Sequence, residues 1–244
     1  EFFDRFPDKQ IVGEYFDGGP NHTWAAEFYR DTRMTMFDFQ FRHALVDVFV
    51  RGMPLTLFGD LWAKDPELVD ATSLVTFADN HDLPRLRGLG VSLAAIKQVV
   101  ALLFVARGVP CVYYGLEQDL FRAGDRGDPH CRQMMQSFNE QHELFRAVAA
   151  LAKLRRENLA LRFGSTRVLR EDGGLLVIER RHLSQCVVLA LAIGGDGDRD
   201  IHCEGLSLSD GSYQDVLSSS RHDVKGGRAP LRLPPDGIML LAQR

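Results

Sequence analysis

This chain has little of several things that would steer its interpretation. No apolar run is long enough to cross a bilayer, the longest being Val99 to Ala106, so a membrane partner is not expected. Basic residues form no run and do not interleave with aromatics, and the net charge is -4, which argues against a nucleic-acid phosphate backbone as partner. Cysteine is sparse and scattered: Cys111, Cys131, Cys186 and Cys203 include no C-x-x-C pair, and the eight histidines show no metal spacing. Reduced thiols and no metal site are the expectation. The opening Glu1-Phe2-Phe3-Asp4 lacks the basic start and apolar middle of a signal peptide. It also lacks a Met and reads as the middle of a helix, which suggests a segment of a longer polypeptide. What is present is ordinary for one or two globular domains: 244 residues, 45% hydrophobic and 25% charged, enough to bury a sizeable core.

Along the chain a β/α rhythm gives way to β alone. Short strands are expected at Gln10 to Glu14, Met34 to Phe39, Leu74 to Phe77 and Pro110 to Tyr114. The turn signal Gly18-Gly19-Pro20 follows the first. Helical periodicity is expected over Phe41 to Val50, Asp60 to Thr72, Ser92 to Arg107 with Gly108 as its stop, and Gln136 to Arg156. Strands alternating with helices imply a parallel sheet with helices outside it, here either half of an eight-stranded barrel or a small open sheet. After Gly164 the helical period vanishes. Short strands at Thr166 to Leu169, Leu175 to Glu179, Val187 to Ala192, Tyr213 to Leu217, Leu231 to Leu233 and Ile238 to Leu241 suggest an antiparallel sandwich.

The polar cluster Asp79-Asn80-His81-Asp82 ends the third strand abruptly. In parallel α/β architectures the carboxyl ends of strands converge on a common crevice, so such a cluster is a candidate site. It also fits a strand cap in which Asp79 and Asn80 accept backbone N–H groups, with His81 a satisfied core histidine. Glu14 ends the first strand. Flanked by Ile11, Val12, Tyr15 and Phe16, its carboxyl should be partly desolvated, which raises a carboxyl pKa towards what a general acid needs. Asp82, beside Asn80, His81 and Arg85, should stay ionised. Two carboxyl groups with diverging environments are the pattern of glycosidic bond cleavage, although a salt-bridged strand-end acid also accounts for Glu14.

Four segments in order, IVGEYFDG at 11 to 18, FADNHDLPR at 77 to 85, GVPCVYYGLEQ at 108 to 118 and GDPHCR at 127 to 132, resemble the α-amylase family, glycoside hydrolase family 13. They match its third and fourth signature regions, its eighth-strand segment and the loop that follows. SDGSYQDVLSSS at 209 to 220 and LPPDGIMLL at 233 to 241 are similar to the family's C-terminal β domain. The resemblance implies the C-terminal half of a (β/α)8 TIM barrel, strands five to eight, over residues 1–162. A small antiparallel β-sandwich domain would follow over 163–244. It implies Glu14 as general acid/base and Asp82 as transition-state stabiliser, with His81, Asp128, Arg132 and Tyr15 binding substrate. Asn80, Arg85, Glu117 and Asp38 would support them. The family's nucleophile, an aspartate ending strand four, would lie upstream of Glu1. So would its calcium ligands, so that no cofactor is expected in this segment and calcium stays open for the complete protein. The implied function is retaining hydrolysis of α-glucosidic bonds in an α-glucan or oligosaccharide, with this segment inactive alone. The alternatives are a transferase or isomerase of the same family, or a non-catalytic glycan-binding or structural relative.

Overall fold

The computed structural model describes residues 2–16, 22–32, 34–194 and 199–243. The turn expected at Gly18-Gly19-Pro20 lies outside them. After a short α1 (Phe2–Arg5), the strands β1 (Val12–Gly13), β2 (Thr35–Met36), β3 (Val75–Phe77) and β4 (Val109–Cys111) are brief and parallel. Val12 faces Thr35, a bridge joins Phe37 to Val75, and Phe77 faces Cys111. Spatial order therefore follows chain order, and all four carboxyl ends meet one rim. Each strand is shorter than the run expected for it.

Between the strands, local chemistry sets the helix ends. α2 (His22–Thr32) is a helix not among those expected. α3 (Phe39–Phe49) starts earlier than its periodicity because the Asp38 carboxylate accepts the Phe41 N–H at 3.0 Å. In place of one helix over 60–72, α4 (Thr56–Ala63) ends ahead of Pro66 and two 3-10 turns follow, Asp65–Glu67 and Ala71–Ser73. α5 (Leu93–Val105) is capped by Ser92, whose hydroxyl accepts the Ala95 N–H at 3.2 Å. Its exit is Gly108, with φ +95° and a backbone so close to the Leu74 carbonyl that an added Cβ would stand 2.6 Å from it. α6 (Glu143–Glu157) begins later than expected, because residues 136–142 are irregular and His142 Nδ1 caps the Leu144 N–H. α7 (Leu159–Phe163) crosses the boundary expected between 162 and 163.

The rest is antiparallel. β5 (Ser165–Asp172), β6 (Leu175–His182), β7 (Gln185–Ala192) and β12 (Ile238–Gln243) form a sheet in the order β12-β7-β6-β5. β8 (Arg199–Cys203) pairs with β11 (Ala229–Leu233), and β9 (Gly211–Gln214) with β10 (Arg221–Val224). β8 and β10 escape the sequence pattern because RDIHC and RHDV are rich in charge. Both faces of the central sheet are buried. Leu176, Ile178, Leu189 and Leu240 share a core with Leu102 and Leu103 of α5 and Leu144 and Leu151 of α6. On the other face Val177, Val188 and Met239 pack with Ile201, Cys203, Leu231 and Leu233. This explains why β7 reads as an unbroken apolar run, a pattern that elsewhere marks parallel strands. All four cysteines are free, and burial pushes the Cys186 thiol up to about 12. Among the described residues no helix is long and apolar enough to cross a membrane.

Candidate functional site

The turn after β3 carries the polar cluster, and its members divide between scaffold and rim. Asp79 is buried and accepts the Leu86 N–H at 2.9 Å. Burial lifts its carboxyl above the ordinary value, against the pull of that N–H and of Arg85 and Arg42. The Asn80 side-chain oxygen accepts the backbone N–H groups of Asp82 (3.1 Å) and Leu83 (2.7 Å). These two are the strand cap that the sequence allowed. His81 and Asp82 are freed to point outwards, about half exposed, with Nε2 of the histidine 3.4 Å from the Asp82 carboxylate.

The positive charge expected beside Asp82 comes from a different residue. Arg85 turns inward and is fully buried, donating to the carbonyls of Cys131 (3.2 Å) and Tyr114 (2.9 Å). Its guanidinium lies 4.5 Å from the Tyr113 ring centre, an internal cation-π contact. Arg132 takes its place at the rim. Its Nη2 donates to Asp82 at 2.9 Å, and its Nε reaches Asp128 at 3.0 Å and the His81 carbonyl at 2.9 Å. The hydrogen bond to Asp82 is the main cause of a rise in the Arg132 pKa. Asp82, His81, Asp128 and Arg132 are thus one cluster of half-exposed groups, able to offer charged acceptors and donors to the hydroxyls of a polar ligand.

Residues not singled out in the sequence hold this cluster together. The buried Asp125 carboxylate accepts the N–H groups of Arg85 (3.1 Å) and Gly127 (2.8 Å), tying the loop after β4 to the turn after β3. Gly127 has φ +90° and presses on the Asp82 carbonyl where no Cβ would fit. Cys131 Sγ lies 2.9 Å from the His81 carbonyl. The only local signal was Asp125 two residues before a glycine, a common turn pattern.

Glu14 follows β1 at the same rim, but it is exposed, not desolvated. Its expected apolar neighbours Val12 (47%) and Phe16 (50%) are themselves open, since β1 has a described strand partner on one side only. Tyr15 stacks on Phe28 with ring centres 5.1 Å apart, which occupies one of its two faces. Asp38 pairs with the buried Arg107, which also holds Asp65 at 2.7 Å. Glu117 lies in the 3-10 turn Leu116–Gln118 on the way to the Asp125 loop. Among the described residues no group of three or more His, Cys, Asp or Glu is arranged to hold a metal ion.

No family model matches the chain. It is 34% identical over 195 residues to a cyclomaltodextrin glucanotransferase of Paenibacillus macerans, covering 79% of this chain and 27% of that protein. It is 32% identical over 213 residues to an alpha-amylase of Niallia circulans, covering 85% and 39%. The structure of CldA, a cyclomaltodextrin glucanotransferase with a three-domain ABC distribution, superposes with a TM-score of 0.89 at 25% identity, covering 99% of this chain and 52% of CldA. The gamma-CGTase of an alkalophilic Bacillus clarkii gives 0.86 at 27% identity, covering 96% and 36%. The chain therefore spans about 27% to 39% of the length of these curated relatives.

Proposed function

The chain belongs to the α-amylase family, and from that premise we propose that it is the acid/base and stabiliser half of a retaining enzyme acting on α-glucosidic bonds. In this reading β1 to β4 are strands five to eight of a (β/α)8 barrel, and the residues after Gly164 form its C-terminal β domain. Glu14 protonates the glycosidic oxygen. Asp82, hydrogen-bonded to Arg132, holds sugar hydroxyls and offsets the positive charge of an oxocarbenium-like state. His81, Asp128, Arg132 and the free face of Tyr15 bind the sugar, while Asn80 and Arg85 shape the turn beneath them. The nucleophile and any calcium belong to residues outside this chain.

One observation carries the proposal: Asp82 is joined to His81, Asp128 and Arg132 at the rim of the parallel sheet whose first strand ends in Glu14. Exposure of Glu14 is consistent with it, because neighbouring strands would have to supply the desolvation. The test is sugar release from starch by the purified chain. None is expected, since no covalent glycosyl-enzyme forms without the nucleophile. Measurable release refutes the division of labour. In the complete protein, Glu14→Gln should depress turnover strongly and leave glucan binding detectable; an unchanged rate means that Glu14 is misassigned.

A second reading is favoured by the relatives' names. The glucanotransferase similarity makes transfer of the glucosyl unit to a sugar acceptor as natural a fate as hydrolysis. Product analysis of the complete protein on malto-oligosaccharides separates the two, since only transfer yields products longer than the substrate or cyclic ones.

A further inference from the structure

At the amino end of β4, the far end of that strand from the rim cluster, a groove of about 570 Å³ is lined by Phe104, Ala152, Arg155, Arg156 and Arg162. Three of these five side chains are guanidinium groups from the last turns of α6 and α7, and no carboxylate lines the groove. Helix C-termini favour a basic residue in the last turn. That accounts for arginines on each helix but not for their convergence, which costs mutual repulsion.

The groove is also preorganised. Arg155 Nη1 donates to the carbonyls of Phe104 (2.6 Å) and Ala106 (3.3 Å), and its Nη2 to that of Gly108, so this guanidinium is fixed in place. Burial, and after it the charge of Arg162, brings the Arg155 pKa down to about 10. Close by is Arg180, fully buried, which donates to the Ala160 carbonyl and the Thr166 hydroxyl and leaves Nη2 without a partner. Burial first, and the charge of Arg155 next, brings its pKa down to about 9. Positive charge is thus concentrated locally in a chain whose net charge is -4.

We propose that Arg155, Arg156 and Arg162 form a binding site for a phosphate group, with Phe104 and Ala152 as an apolar wall for the ester it carries. Guanidinium forks match phosphate oxygens bidentately, and a doubly charged anion offsets more of the repulsion among the three than a single halide would. The site is independent of the glucan reading and stands or falls separately from it.

The test is calorimetric titration of the purified chain with inorganic phosphate at constant ionic strength, with sodium chloride as the compensating salt. Saturable one-to-one binding is expected. The Arg156→Ala/Arg162→Ala variant should lose affinity about tenfold or more, since two charge-assisted contacts go. Exposed Arg221→Ala should bind as the parent does. Phosphate should raise the melting temperature of the parent but not of the double variant, and Arg162→Gln repeats the comparison with a milder change. Absence of saturable binding, or equal affinity in parent and double variant, overturns the site. Phenyl phosphate binding more tightly than inorganic phosphate supports the apolar wall, whereas equal affinity refutes that part and leaves the free anion as ligand.

Discussion

Asp79 and Asp82 stand three positions apart in different surroundings, one buried against the Leu86 N–H and the other meeting Arg132 at the surface. The burial of Asp79 is testable through pH. The Asp79 carboxyl is raised above its ordinary 3.8 by burial. A carboxyl raised on folding stabilises by keeping its proton, a contribution complete below 3.8 and lost as pH climbs through the raised value. Asp79→Asn keeps an acceptor for Leu86 and cannot ionise. Its unfolding free energy should therefore gain on the parent's as pH rises from about 4 to neutrality; urea titrations giving parallel pH curves would refute this. Gly127→Ala should cost at least about 1 kcal/mol, from a left-handed backbone and a Cβ driven into the Asp82 carbonyl. Denaturant midpoints measure it. Because Gly127 precedes Asp128 and Arg132, the same variant should also weaken glucan binding by the complete protein.

Among the elements, the contact that fixes α3 against the exit of α5 is the ion pair of Asp38 with Arg107, extended to Asp65 after α4. Arg107 is held above its ordinary value because these two carboxylates outweigh its burial. Asp38 also caps α3. Asp38→Ala strands a buried guanidinium and opens a helix end, so a loss of about 3 kcal/mol in unfolding free energy is expected. A loss under about 1 kcal/mol would mean that Asp65 compensates fully. At this scale the sequence was most legible where period and cap agree, as in α5 with Ser92 before it and Gly108 after. It was least legible where they conflict. The helix expected from 136 starts only at Glu143, where His142 provides the cap.

For the whole molecule, the β sheet is not an appendage. One face of β6, β7 and β12 completes the core begun by α5 and α6, and Asn158 at the junction donates to the Gln243 carbonyl near the chain's other end. Removing residues 165–244 would expose those helix faces to water, so a chain ending at Gly164 should aggregate or lose cooperative unfolding. Two independent transitions in the intact chain, or a soluble cooperative fragment, would refute the shared core. Far-ultraviolet dichroism and fluorescence followed together supply the measurement.

Much was written locally. The alternation of short strands with amphipathic helices, the polar stops at Glu14 and Asp82 and the change to β structure near Gly164 follow from periodicity and turn chemistry, which depend on neighbours in the chain. What only folding decided is pairing across distance. Arg132 reaches Asp82 from fifty positions away while adjacent Arg85 is drawn inward, because the Asp125 carboxylate and the Gly127 turn set the path of the loop between them. Exposure of Glu14 was decided in the same way. Burial is a property of which strands lie alongside, and no reading of flanking residues supplies that.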